Sequence, residues 1–119
     1  MSMNQRSFEF SMQVSSTRAM LGAVRDLASQ VATYAGGKAL AAAVADEVVT
    51  ATEAAIAASR GDGTPVDLRF RCDDTALEVF VAGGQGVLTA ATLSRGPGLS
   101  VDWVSTGGRP VCHIRQAID

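Results

Sequence analysis

Aromatic residues are scarce in this chain of 119: one Trp, one Tyr and four Phe make up 5% of it. That excludes a core built on large rings. Because 47% of the residues are still apolar, alanine and valine must supply the core through elements that approach closely. Cysteine is as rare, with Cys72 and Cys112 alone, no CxxC spacing, and a single histidine, His113. The usual zinc arrangements are therefore excluded, and two free thiols in a reducing compartment are expected. No run of Lys or Arg occurs and the net charge is −2, which argues against direct binding to nucleic acid. Apolar stretches stop short of a membrane span, and Met1 to Gln13 lacks the apolar centre of a secretion signal. A soluble, cytoplasmic protein of one domain, residues 1–119, is the expectation, with no internal repeat or linker.

What the chain does have is periodicity. Phe8, Phe10, Met12 and Val14 alternate with Glu9, Ser11 and Gln13, the pattern of a strand with one dry and one wet face. Ser15-Ser16-Thr17 offers capping hydroxyls to a first helix of about five turns, carried by Leu21, Val24, Ala28 and Val31 and stopped at Gly36-Gly37. From Lys38 to Ser59 there is no Gly or Pro, and Leu40, Val44, Val48, Ala51 and Ala55 recur at helical spacing. This is a second, long helix.

Gly61-Asp62-Gly63-Thr64-Pro65 ends that helix and leads into Val66, Leu68 and Phe70, alternating with Asp67, Arg69 and Arg71. Asp73-Asp74-Thr75 then turns the chain into Leu77, Val79 and Val81, which completes a hairpin with one charged face. The segment from Gly83 to Pro97 is interrupted by glycine and reads as a loop with a short helical turn. Gly98 to Val104 reads as a short helix holding Trp103 for core packing, and Val111 to Arg115 as the last strand. His113, alternating with Cys112 and Ile114, should face outward beside Arg115. The fold class expected is α+β: a two-layer α/β sandwich with a mostly antiparallel sheet and helices on one face.

Glycines cluster after the hairpin. Ala82-Gly83-Gly84-Gln85-Gly86 closes an apolar strand, and Gly96-Pro97-Gly98-Leu99 follows. Glycine after a strand lets backbone approach a ligand, so a phosphate or adenine pocket and a plain flexible turn are both open readings of Gly83, Gly84 and Gly86.

With the segment Val48 to Ile56 on the long helix, these boxes give the whole chain, from about Phe8 to Arg115, an order that resembles the GHKL (Bergerat-fold) ATPases. Within them it is similar to the anti-sigma factor serine/threonine kinases of bacterial partner switching. The resemblance implies a histidine-kinase-ATPase-like domain with a nucleotide pocket at Thr50, Ala54, Ala82, Gly84, Gly86, Gly96 and Gly98. In that family the long helix supplies a base and the Asn that holds Mg²⁺, and the next box an Asp for the adenine amine. The corresponding residues here are Thr50, Ala54 and Ala82, so all three functional side chains are missing. Sliding the register recovers no Asn, since the chain holds only Asn4.

Loss of the metal ligand and of the adenine acceptor removes both positioning and charge neutralisation from phosphoryl transfer. The resemblance therefore implies a vestigial pocket, with no catalytic residue, metal or cofactor. The function expected is a regulatory, anti-sigma-factor-like protein that binds a sigma factor or an anti-anti-sigma factor. Arg18 and Arg25, seven residues apart on the first helix, are the candidate partner contacts, against the plainer reading of two surface arginines. Two rivals stay open. One is an active serine/threonine kinase using Mg-ATP through an atypical site with Glu53 or Asp46. The other is a structural or oligomerisation domain. A homodimer is expected from the family and from the exposed edge of a short open sheet.

Overall fold

The structure, a computed structural model, describes residues 7–15, 18–36, 38–59, 65–73, 75–82, 92–96, 98–106 and 109–117. Strand β1 (Phe8–Val14) is followed by a 3-10 turn over Arg18–Met20, helix α1 (Leu21–Gly36) and helix α2 (Lys38–Ser59). Five strands complete the chain: β2 (Val66–Cys72), β3 (Ala76–Ala82), β4 (Thr92–Gly96), β5 (Leu99–Thr106) and β6 (Arg109–Ala117). They form one antiparallel sheet in the order β1-β2-β3-β6-β5-β4, so among the described residues β1 and β4 are its edges. The result is a two-layer α/β sandwich.

Strand alternation decides which side chains are dry. Val66, Leu68, Phe70 and Cys72 on β2, Leu77, Val79 and Val81 on β3, Leu99 and Val101 on β5, and Cys112 and Ile114 on β6 all face the helices and are buried. From above, Val24, Ala28, Val31, Ala32 and Ala35 of α1 join Ala41, Val44, Ala45, Val48, Ala51 and Ala55 of α2 in the same core. Among the described residues no buried side chain of either helix is larger than valine, which lets the two lie close along their length. α2 covers the middle of the sheet, over β2, β3 and β6, while α1 packs along α2.

Thr52 is fully buried in α2, and its hydroxyl donates to the Val48 carbonyl one turn back at 2.7 Å, so the core holds no orphaned hydroxyl there. Tyr34 of α1 packs its ring against Phe8 of β1.

Three elements differ from the sequence expectation. Leu99–Thr106 is a strand and not a short helix, because Leu99, Val101 and Trp103 alternate toward the core and pair with Gln116, Ile114 and Cys112 of β6. Trp103 does pack against the core, from a strand. The glycine-interrupted segment contains β4, which pairs with β5, while residues 83–91 lie outside the described set. α1 is shorter than five turns, at 16 residues, since Arg18–Met20 wind as a 3-10 turn ahead of it.

Candidate functional site

The residues implied by the ATPase resemblance can now be placed. Thr50 is exposed on α2, and Ala54, four residues on, stands half-buried on the same side of the helix. Ala82 is the last residue of β3 and pairs with Asp67 and Val111. Leu77, Val79 and Val81 face the helices, so Ala82 faces the other way, onto the open side of the sheet. It is not brought together with Thr50 and Ala54. Gly84 and Gly86 lie outside the described residues.

Gly96 ends β4 and pairs with Leu99 across a tight turn that contains Gly98. The φ of Gly98 is +75°, and a Cβ built there would stand 2.9 Å from the Ala117 Cβ and 3.3 Å from Gln116 Nε2. Its carbonyl accepts the Ala117 N–H at 2.8 Å. Glycine is thus required at 98 by a left-handed backbone and a close neighbour strand, whatever else passes nearby. Ala117 pairs with Ala76, at the start of β3, whereas the other glycine box leaves the end of β3 at Ala82. Six residue steps of a strand, roughly 20 Å, separate the two ends of the sheet. Ala82 and Gly98 thus stand toward opposite ends of the sheet, while Gly83 to Gly86 lie outside the described residues.

The acids of α2 are engaged or surface-bound. Asp46 Oδ1 accepts from Arg25 Nη1 at 2.6 Å, an exposed ion pair that ties α1 to α2. Glu53 is half-buried beside Ala54. Arg25, a candidate partner contact, therefore spends its charge on the neighbouring helix. Arg18 lies in the 3-10 turn rather than on α1, so the two arginines are not on one continuous α-helix, and the Arg18 side chain is outside the described residues. Among the described residues, no group of three or more His, Cys, Asp or Glu could hold a metal ion. No described helix is long and apolar enough to cross a membrane.

The side-chain chemistry that does converge is on the open face. Arg69 donates to Glu9 Oε2 through both Nε and Nη2, and its guanidinium carbon stands 5.7 Å from the centre of the Phe80 ring. Phe80 stacks on His113 with ring centres 4.5 Å apart and planes 2° from parallel. His113 Nε2 lies 2.7 Å from Glu78 Oε2, and Asp102 is its register partner on β5. This row of Arg69, Phe80 and His113 runs across three adjacent strands, since the register sets Phe80 opposite both of the others. Beside it Ser11, Gln13, Asp67, Arg69, Phe80 and Val111 line a shallow cleft of about 550 Å³ that Ala82 also borders.

The outward direction of His113 followed from alternation. The stack was missed, although its signal was available: Phe80 is the one aromatic residue among the open-face positions of β3.

A second concave surface lies at the β1 edge. Phe8, Phe10, Leu27, Gln30, Val31 and Tyr34 line a mostly apolar cleft of about 350 Å³ between β1 and α1. Phe10 stacks on Phe70 at 5.0 Å and Phe8 tilts against Tyr34 at 5.7 Å.

Comparison with known proteins gave no match, either to a family model or to a curated protein.

Proposed function

We propose that this chain is a cytoplasmic regulatory binding protein, resembling in its glycine boxes and long helix the anti-sigma factor kinases of the GHKL superfamily, that works without ATP and without phosphoryl transfer. Its partner is a sigma factor or an anti-anti-sigma component of a switching system.

One observation supports the reading: the described residues implied for the nucleotide pocket, Thr50 and Ala54 on α2, Ala82 on β3 and Gly98 beside Ala117, are not brought together. Ala82 faces the side of the sheet away from α2, and Gly98 stands at the far end of the sheet, closed against Ala117. Thr50 and Ala54 add no base and no metal ligand. An acidic side chain at 82 would point into the open face, so restoring the missing groups one by one cannot rebuild the pocket. Binding is then the activity left to a domain with a solid core, an open charged face and an apolar edge.

Calorimetry with Mg-ATP tests the first half. No heat is expected from the natural chain, and none from the double variant Ala54→Asn, Ala82→Asp. Micromolar binding by either would overturn the reading. Direct titration against purified sigma and anti-anti-sigma factors from the same organism tests the second half. Saturable binding to one of them is expected, and a null result across the whole set would remove the proposed partner class.

A further inference from the structure

Rows of side chains cross the open face of the sheet, and in one of them the acids turn away from the arginines beside them. Arg71 on β2 and Arg115 on β6 stand in register on either side of Glu78 on β3, and Glu9 of β1 is the register partner of Arg71. Pairing along that row would neutralise both arginines. It does not occur, because each acid leans to the adjacent row: Glu9 accepts from Arg69, and Glu78 Oε2 lies 2.7 Å from His113 Nε2. Asp73, in the turn beyond Arg71, feels its charge, yet Asp73 Oδ1 is occupied by Thr75 and Ala76. Arg25, Arg69, Arg71 and Arg115 are the arginines with described side chains. Arg25 and Arg69 hold ion pairs, while Arg71 and Arg115 are exposed and hold none among the described residues.

We infer that this row is the docking site for an acidic segment of a partner protein, whose carboxylates pair with the two guanidinium groups that Glu9 and Glu78 do not reach. The inference rests on the reading that the chain works by binding another protein, and it adds the face and the chemistry of the contact.

The geometry selects a peptide with separated carboxylates. Two inter-strand spacings, roughly 10 Å, lie between the backbones that carry the arginines, so a single small anion suits one of them and a segment with several acids suits both. Guanidinium meets carboxylate through paired N–H donors, which fixes orientation as well as charge. Phe80, half-buried in the adjacent row, offers apolar surface to a neighbouring side chain of the same segment. A nucleic-acid backbone fits less well, because its charge is continuous and Glu9, Asp67, Glu78 and Asp102 share this face. His113 is the positioning residue. By holding Glu78 it keeps the chain's own carboxylate off the arginines, and its stack on Phe80 keeps the imidazole in place.

Titration of the isotope-labelled full chain with acetylated hexaglutamate at low salt, followed by NMR, provides the test. Saturable shifts are expected at the Nε–H of Arg71 and Arg115 and at the amides around them, weakening as salt is raised. The double variant Arg71→Gln, Arg115→Gln alters exposed positions, so it should keep the thermal midpoint and weaken the peptide by at least about tenfold. Glu78→Gln should tighten it by about threefold. His113→Gln frees Glu78 to swing onto the arginines and should weaken binding, an effect that Glu78→Gln in the same chain should abolish. No saturation at millimolar peptide, equal shifts with hexaglutamine, or undiminished binding by the double arginine variant overturns the inference. So does inorganic phosphate producing the same shifts, or a thymidine hexanucleotide binding more tightly than hexaglutamate. A loss from His113→Gln that is the same with and without Glu78 overturns the role given to His113. The titration against sigma and anti-anti-sigma factors answers separately: binding hexaglutamate at this row but none of those factors keeps the site and removes the partner class, and the reverse outcome removes the site alone.

Discussion

On β2, Val66, Leu68, Phe70 and Cys72 turn toward the helices and are almost wholly withdrawn from water. On the same strand Arg69 and Arg71 turn the other way and stay exposed. The two faces share one backbone and one set of inter-strand hydrogen bonds, so the contrast isolates what side chains contribute. The covered face is held by burial, which scales with apolar area and is not subject to ionic screening. The open face is held by stacked rings and exposed ion pairs, which contribute little each and are screened. A surface of the second kind is cheap to alter and is free to meet a partner. The covered face is neither.

Phe70 and Phe80 put a number on the contrast, being the same residue on adjacent strands. Phe70 has no exposed surface and stacks on Phe10, so Phe70→Ala should cost about 3–5 kcal/mol in urea unfolding. Phe80 is half-buried on the open face between Arg69 and His113, so Phe80→Ala should cost about 1 kcal/mol. Equal costs would break the comparison, because they would mean that the open face is as dry as the covered one in the protein in solution.

The next largest effect is expected where the open face has one close contact of its own. Gly98→Ala must hold a left-handed backbone and push against Ala117 at 2.9 Å, with Gln116 beside it. About 2 kcal/mol of stability should be lost, with the β5–β6 end of the sheet exchanging its amides faster. A variant as stable as the natural chain would show that the turn is not tightly packed, and would reopen a ligand role for its glycines.

Much of this architecture was legible in the chain. Both helices, the β2–β3 hairpin and the last strand follow from apolar spacing bounded by glycine, proline and aspartate. β5 was not recognised, although Leu99, Val101 and Trp103 alternate with Ser100 and Asp102. Seven residues with apolar positions close together satisfy a helical turn nearly as well as a strand, and only pairing with β6 decides between them. β4 is a five-residue edge strand, too short for a period to register. The site was less legible for a different reason. A glycine motif states that backbone must bend or approach something, but not which end of the sheet it occupies. Alternation could have corrected one position: with Leu77, Val79 and Val81 facing the core, Ala82 had to face away from α2.

The smallest effect expected comes from a polar group that burial does not explain, Asp73 in the turn between β2 and β3. Its Oδ1 accepts from the Thr75 N–H at 2.8 Å, the Thr75 hydroxyl at 2.8 Å and the Ala76 N–H at 3.0 Å. These bonds, the Thr75 backbone first, hold the carboxyl below its ordinary value, and the charge of Arg71 adds to them. A carboxyl lowered by folding contributes stability above its unfolded value and loses it as the pH falls through the folded one. The contribution of Asp73 should therefore be complete at pH 7 and disappear below about pH 4. Asp73→Asn keeps an oxygen acceptor and removes the charge, so the gap in urea midpoint between it and the natural chain should close as the pH is lowered. The deficit of Phe70→Ala, caused by lost burial, should not follow that course. A gap for Asp73→Asn that stayed constant from pH 7 to pH 3 would mean that the turn is held by its geometry alone and that its charge contributes nothing.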